Sequence, residues 1–491
     1  MFKELKRLIK QSAIYGVGSI ASPFIGFIML PVYSRFLTPS EYGILAVTTV
    51  AINFVAALIS LGINSGLIRF YFDYTEKRDK DQVVVSSLLF SFVASVVFAV
   101  VLWVFSGPVS SILFDFDQGQ LYLKLILLIA VADTGITNCL ATLRAEERPV
   151  TYSMMTVLRL VLTFSLNIVF VVVLKRNVRG ILEAELLSGV VCYLTALLIV
   201  ARGKPFTFSW AKTRQVLSFG VPLVPGNVAS LVMTLSDRYF LQHYATLEDV
   251  GLYSVGFRIA SALRIAFIEP FRIAWPPYMF SVLDKPDARE IYKKVLVYFT
   301  FVCVWAGLTL SVFAREALMV LATPAYYPGY RVVPLLALSY ILLGMCSILV
   351  AGIQISNKTK YASYSFIIAA GVSLGMNFLL VPRLGMMGAA TASVTAYTVL
   401  NLLYFLISQR FYYIAHEFRR LGLAFVSGIA LYLLAFLLTR RMGIAPSVLV
   451  KAVLVLLYPA LLYVLRFYTR EELRKIRELL GKLPRPWRVR A

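Results

Sequence analysis

Long apolar segments, each with few interruptions, restrict this sequence to one kind of fold. Apolar residues make up 59% of the 491 residues and gather in runs of about 20, the length that crosses a hydrocarbon core about 30 Å thick. A surface helix of a soluble protein would carry a polar stripe along such a run, and most of these runs lack one. The chain is therefore predicted to be an all-α polytopic membrane protein.

The apolar runs predict fourteen membrane spans, and an even number places both termini on one side. The predicted spans are 12–34, 41–67, 84–106, 121–143, 150–174, 180–201, 216–242, 250–275, 291–313, 332–355, 361–381, 385–409, 421–439 and 446–466. Most Lys and Arg lie in loops on one side, such as 75–82 and 202–215, and in the segment after 469. Because basic loops mark the cytoplasmic side, both termini are expected in the cytoplasm.

The formal net charge of +23 follows from this topology and does not indicate a nucleic-acid partner, because no nucleic-acid-binding motif accompanies it. The four Cys lie in apolar runs and the chain has only two His, so neither a disulfide framework nor a metal site is predicted. The sequence has no Walker A motif, and no cofactor is expected. The segment 1–11 is amphipathic and is expected to lie on the cytoplasmic membrane surface.

Two short matches indicate an internal repeat. The segment 38–43 (TPSEYG) resembles 246–251 (TLEDVG) at an offset of 208 residues, and 180–184 resembles 385–389 at an offset of 205. They predict two six-helix bundles, 12–209 and 210–410, related by a pseudo-two-fold axis along the membrane normal. Residues 411–468 would add two further spans, and 469–491 a basic cytoplasmic tail.

Several ionisable residues fall inside predicted spans or directly after one, and a charge at a helix centre costs roughly 2.5–3.5 kcal/mol. They are Arg69, Asp133, Arg159, Asp237, Arg258, Arg264, Glu269 and Arg272. The span 250–275 contains four of these residues. At about 100° per residue, Arg258, Glu269 and Arg272 share one narrow stripe of the helix, and Arg264 lies off it. This stripe predicts that the span faces a cavity rather than lipid. Cationic walls suit a diphosphate, because guanidinium groups bind phosphate oxygens in bidentate fashion. The alternative is that these arginines pair with acids and hold helices together.

Depth within the membrane suggests two ion pairs. Asp133 and Arg159 lie at similar distances from the cytoplasmic ends of their spans, and we expect a structural pair. Asp237 and Arg258 lie at similar distances from the outer face, and we expect a cavity pair that opens for substrate phosphate. Arg238 is expected to extend to the lipid headgroups.

Ion coupling would require an acid that binds a proton or sodium. Asp237 and Glu269 are candidates, and Glu183 and Glu185 in the sixth predicted span are further ones.

The order of several motifs resembles the polysaccharide (O-antigen and exopolysaccharide) flippases of the multidrug/oligosaccharidyl-lipid/polysaccharide exporter superfamily. The motifs are 30–33 (LPVY), 36–43 (FLTPSEYG), 66–71 (GLIRFY), 143–147 (LRAEE), 357–360 (NKTK) and 381–390 (VPRLGMMGAA). The resemblance implies two bundles around a central cavity lined mainly by spans 1, 2, 7 and 8. It also implies a flippase, not an enzyme, that moves an undecaprenyl-diphosphate-linked oligosaccharide from the inner to the outer leaflet of a bacterial inner membrane by alternating access.

Within that resemblance, Arg69 and Arg272 are expected at the cytoplasmic entrance, and Arg258 and Arg264 in the substrate cavity. The expected partners are the lipid-linked oligosaccharide, membrane lipids, and the polymerase and chain-length proteins of polysaccharide synthesis, with a monomeric chain. A lipid II flippase, a drug or cation exporter of the same superfamily, and a membrane-bound polysaccharide polymerase or ligase stay open as alternatives.

Overall fold

The computed structural model describes residues 26–474, and all regular secondary structure in this range is helical. Thirteen helices within it are long and apolar enough to cross a membrane. We number them α1 (Pro39–Ser60), α2 (Lys77–Val104), α3 (Gly119–Ala145), α4 (Pro149–Val173), α5 (Asn177–Ala201), α6 (Trp210–Tyr244), α7 (Leu247–Ser281), α8 (Ala288–Val312), α9 (Pro324–Ile355), α10 (Thr359–Leu384), α11 (Met386–Phe411), α12 (Phe418–Thr439) and α13 (Ile444–Val464). They correspond to predicted spans 2–14. Segment 1–11, most of predicted span 1 and the tail after 474 lie outside the described residues.

Four shorter helices connect or extend the spans: Leu30–Phe36, Ile63–Tyr71, Ser106–Leu113 and Ala314–Leu321. Several spans are internally irregular. The helix α4 ends in a π-helical segment, α6 contains the 3₁₀ turn Val221–Leu223, α7 contains the π-helical segment Arg264–Ile268, and α9 begins with a 3₁₀ segment. Two proline residues, Pro222 and Pro225, accompany the irregularity in α6, as expected where a backbone N–H is missing.

The helices α1 and α7 begin side by side at one face of the molecule. We call this face the outer end and the opposite face the inner end, following the predicted orientation. Each helix starts with the same cap: the Thr38 hydroxyl accepts a hydrogen bond from the Glu41 N–H (3.3 Å), and the Thr246 hydroxyl accepts one from the Asp249 N–H (3.1 Å). A threonine that bonds the third helical N–H is a strong N-terminal signal. The repeat in the sequence therefore marks two equivalent helix starts, while the two-fold relation of the bundles remains a prediction.

The predicted span 41–67 is not one helix. It ends at Ser60, and Leu61 and Gly62 adopt left-handed backbone angles (φ 46° and 67°) before Ile63–Tyr71 continues. Gly62 permits this conformation at little cost. A Cβ at this position would also overlap the backbone of Gly220, where α6 crosses closely. The offset of 208 residues relates this break to Glu269 and Pro270, which directly follow the π-helical segment of α7.

The last two spans pack against α8, and one buried arginine joins them to the segment that follows α13. The Arg420 guanidinium donates to Glu417 (2.9 Å) and to both carboxylate oxygens of Glu472 (3.0 and 2.9 Å). It also lies over the ring of Phe467, 4.6 Å from the centroid. Charge-assisted hydrogen bonds of this kind are among the stronger polar interactions in proteins.

Replacing Arg420 by alanine is therefore expected to lower the thermal stability of the purified protein. The change removes one charge-assisted donor from each of two partly buried carboxylates, and a hydrogen bond to a charged group contributes about 1.5–3 kcal/mol. Arg419 is exposed, so Arg419→Ala removes the same charge from the adjacent position and serves as the control. Equal melting temperatures for the two variants would contradict the stabilising role of Arg420.

Candidate functional site

The two halves of the chain meet at the outer end through glycine. A Cβ at Gly43 in α1 would overlap the carbonyl oxygen of Leu247, and a Cβ at Gly251 in α7 would overlap that of Pro39. Backbones can approach this closely only where side chains are absent.

Side chains of the segment that begins α9 complete the contact. The Thr323 hydroxyl donates to the carbonyl oxygen of Ser34 (3.0 Å), and the Tyr326 hydroxyl donates to that of Leu37 (2.8 Å). We call these contacts, together with Gly43 and Gly251, the outer seal.

The first arginine of α7 faces the opposite half. The guanidinium of Arg258 lies against Gly26, and a Cβ there would overlap it. Arg258 also acts electrostatically on Tyr33, whose hydroxyl donates to Asn167 of α4 (3.0 Å). Arg258 is half-buried. Arg258 therefore lies between the two halves, where the cavity was expected. Its contact with the first predicted span was not predicted from the sequence.

The next two arginines of α7 face the second half. Arg264 lies over the ring of Tyr340 in α9, 5.8 Å from the centroid, and both Arg264 and Arg272 act electrostatically on Tyr397 in α11. The predicted stripe separated Arg264 from Arg272 because it assumed 3.6 residues per turn throughout. The π-helical segment Arg264–Ile268 departs from that period, so the residues after it are rotated relative to the prediction.

Exposure rises along α7 from the outer to the inner end. Arg258 and Arg264 are half-buried, whereas the side chains of Arg272 and Glu269 are 42% and 39% exposed. These two form an ion pair at 3.2 Å on one helix face. The charged side chains of α7 thus become more exposed toward the inner end, while the outer seal closes the other end.

Arg69 has a similar arrangement on Ile63–Tyr71. Its guanidinium pairs with Asp73 at 2.7 Å, and 56% of its side chain is exposed. Exposed pairs within one helix contribute only about 0.3–0.5 kcal/mol. Either guanidinium can therefore exchange its carboxylate partner for another anion at little cost.

The predicted Asp237–Arg258 pair is wrong in this structure. Asp237 is buried, pairs with the adjacent Arg238 at 3.1 Å, and accepts a hydrogen bond from the Tyr253 hydroxyl. Arg238 lies over the ring of Phe257, 4.0 Å from the centroid, and is buried rather than extended to the headgroups. Equal depth allowed the predicted pair, but the side chains point in different directions around their helices.

The predicted contact between Asp133 and Arg159 is present, with 2.5 Å between carboxylate and guanidinium. The sequence did not show that Glu185 of α5 belongs to the same group: it acts electrostatically on both residues. The other acid of this span, Glu183, pairs instead with Arg176 and Arg179 at the outer end, each at 2.7 Å. The position of Glu185 one turn before Gly189, which faces Asp133, could have suggested the grouping.

Thirteen spans, a sealed outer end and arginines exposed toward the inner end define a polytopic membrane transporter. The chain belongs to the family of polysaccharide biosynthesis proteins, whose sequence model matches residues 8–283.

Two curated relatives carry names from polysaccharide loci. The Lsg locus putative protein 1 of Haemophilus influenzae is 23% identical over 313 residues, which are 60% of this chain and 72% of that protein. The succinoglycan biosynthesis transport protein ExoT of Rhizobium meliloti is 24% identical over 327 residues, 65% of this chain and 64% of that protein.

Solved structures share the fold. The lipid II flippase MurJ in an inward closed conformation superposes with a TM-score of 0.72 at 12% identity, covering 93% of this chain and 99% of that one. An inward-facing multidrug resistance transporter of the MATE family gives a TM-score of 0.65 at 16% identity, covering 80% and 94%. Both share the all-α architecture with many membrane spans that was expected from the sequence.

Proposed function

We propose that the protein is a flippase that carries an undecaprenyl-diphosphate-linked oligosaccharide from the inner to the outer leaflet of a bacterial inner membrane. The termini would lie in the cytoplasm, so that the inner end faces the compartment in which such lipids are made. The single observation that carries this proposal is the row of arginines, Arg272, Arg264 and Arg258, along a helix that is exposed at its inner end and sealed at its outer end.

The arginine positions suit a ligand with two adjacent phosphates. Arg69 and Arg272 are exposed and held only by carboxylates of their own helices, so a diphosphate at the inner end can displace both acids. Arg258 and Arg264 lie deeper, where lower polarity strengthens a charge-assisted bond. Affinity for phosphate therefore increases along the path into the membrane.

Crossing requires the outer seal to open and the inner end to close. The glycine contacts of the seal are backbone packing without interlocking side chains, so two bundles can separate there as rigid bodies. The buried group of Asp237, Arg238 and Tyr253 would move as part of the second bundle, because opening a buried pair is costly. The chain would perform no covalent chemistry, in keeping with the transport role in the name of one relative.

Two alternative functions share the fold. A drug or cation exporter would need an anionic cavity, and the arginines of α7 disfavour it. A lipid II flippase would use the same phosphate chemistry and differ in the sugar, so the MurJ-like fold keeps that alternative open.

The test is transport by the purified protein in proteoliposomes. We expect an undecaprenyl-diphosphate oligosaccharide to be flipped, with inhibition by the unlabelled lipid-linked diphosphate and none by an organic dication. The same assay with lipid II separates the two flippase assignments. Export of the dication without flipping of either lipid would overturn the proposal.

A further inference from the structure

Three ionisable side chains from three different spans meet inside the first half of the protein. Arg159 of α4 pairs with Asp133 of α3, and Glu185 of α5 acts electrostatically on both. We call them the acid–arginine cluster. Thr163, one turn after Arg159, donates to the Ser188 hydroxyl of α5 (3.0 Å), which fixes the facing sides of α4 and α5.

The cluster has one acid more than it has bases. Arg159 neutralises one carboxylate, and among residues 26–474 no side chain donates a hydrogen bond to the Glu185 carboxylate. Glu185 is eight residues after the start of α5 at Asn177, roughly 12 Å into the span at about 1.5 Å per residue. Glu185 is half-buried, and an ionised carboxylate at that depth without a hydrogen-bond donor is less stable than one in water. A positive charge from outside the chain would remove this cost.

A proton fits this cluster better than a metal ion. The guanidinium of Arg159 repels a second cation at short range. Within the part of the chain that the structure describes, no group of three or more His, Cys, Asp and Glu side chains could hold a metal. A proton needs a single oxygen and no coordination shell.

We propose that Glu185 is a proton-binding site of the transport cycle, an inference that rests on the proposed flippase function. Water would deliver the proton, an O–H bond would form on the Glu185 carboxylate, and the same bond would release the proton to water when the cluster opens to the other side. Arg159 would stay charged and paired with Asp133. The other titratable groups that act on this cluster or on its neighbours are Tyr33 of Leu30–Phe36 and Cys192 of α5.

The cluster is linked to the substrate cavity through Tyr33. Both Glu185 and Arg258 lie near this tyrosine, and its hydroxyl donates a hydrogen bond to Asn167 of α4. Protonation of Glu185 removes a negative charge from the surroundings of Tyr33, and so changes the field at the arginine proposed to bind phosphate. Proton binding and phosphate binding are therefore energetically coupled.

The first test measures the proton itself, in detergent and without substrate. An infrared pH titration of the wild type is expected to show a protonated carboxyl band that Glu185→Gln removes. Glu183→Gln is the matched control, because Glu183 is on the same helix but pairs with Arg176 and Arg179 outside the cluster. Persistence of the band in Glu185→Gln would overturn the assignment.

The second test uses transport. The wild type and Glu183→Gln are expected to change their initial flipping rate several-fold between acidic and basic pH, whereas Glu185→Gln is expected to show a flat profile. A pH profile that survives in Glu185→Gln would overturn the proposal. Absence of flipping by the wild type at every pH would count against the flippase function instead, and the infrared titration would still decide whether Glu185 binds a proton.

Discussion

The double variant Arg258→Ala/Arg272→Ala is expected to flip the lipid-linked oligosaccharide at least about 100-fold more slowly than the wild type. Each arginine is proposed to make a charge-assisted bond to phosphate, and such a bond contributes about 1.5–3 kcal/mol. Losing two of them removes about 3–6 kcal/mol, and each 1.4 kcal/mol is a factor of about ten. Initial rates in proteoliposomes with matched protein content measure the effect.

Two control variants separate phosphate binding from net charge and from folding. Arg315→Ala/Arg383→Ala removes two exposed arginines outside the proposed cavity, and its rate is expected to match the wild type. Arg258→Lys/Arg272→Lys keeps the charge but not the bidentate fork, and an intermediate rate is expected. If the alanine double variant folds and flips at the wild-type rate, the arginines do not bind the substrate.

Hydrophobic run length is sufficient to predict most of this fold. Thirteen predicted spans have a helical counterpart because a run of about 20 apolar residues has few alternatives in a membrane. The predicted spans 41–67 and 250–275 began two and three residues after the helix starts at Pro39 and Leu247, although a capping threonine with an acid three residues later is a local signal. The break after Ser60 was missed, since the apolar pattern continues through Leu61 and Gly62.

The site was predicted less completely, because side-chain direction depends on helix register and packing. Comparing how deep each residue lies in its span predicted the Asp133–Arg159 contact. This worked because the two side chains also lie on facing sides of α3 and α4. The same arithmetic failed for Asp237, which pairs with its neighbour Arg238 in the chain. The separate stripe argument for α7 assumed a regular helix throughout, and nothing in the sequence reveals the π-helical segment Arg264–Ile268.

The double variant Gly43→Val/Gly251→Val is expected to hold the outer end open. Each added side chain would overlap a carbonyl oxygen across the seal, and backbone cannot move aside as a flexible side chain can. Overpacking costs typically about 1–3 kcal/mol per site. Two sites therefore disfavour the sealed state by about 2–6 kcal/mol, which shifts a two-state equilibrium by a factor of roughly 30 or more.

The opening can be measured with a cysteine placed in the seal. Ser34 is 3% exposed, and the four native cysteines are buried, so Ser34→Cys should react slowly with a membrane-impermeant thiol reagent added from outside. The glycine double variant is expected to speed this labelling and to reduce flipping together. Gly371→Val/Gly375→Val is the control, because a Cβ at either position meets nothing within 4 Å.

The combination of the two readouts decides what the seal does. Faster labelling with lost flipping would show that the outer end must close in every cycle, because an end that stays open cannot return to accept substrate from inside. Slow labelling with normal flipping would mean that Gly43 and Gly251 do not form the outer barrier. The arginine variants leave the seal intact, so they are expected to flip the lipid slowly without any change in labelling. The two sets of variants therefore separate substrate binding from the conformational change.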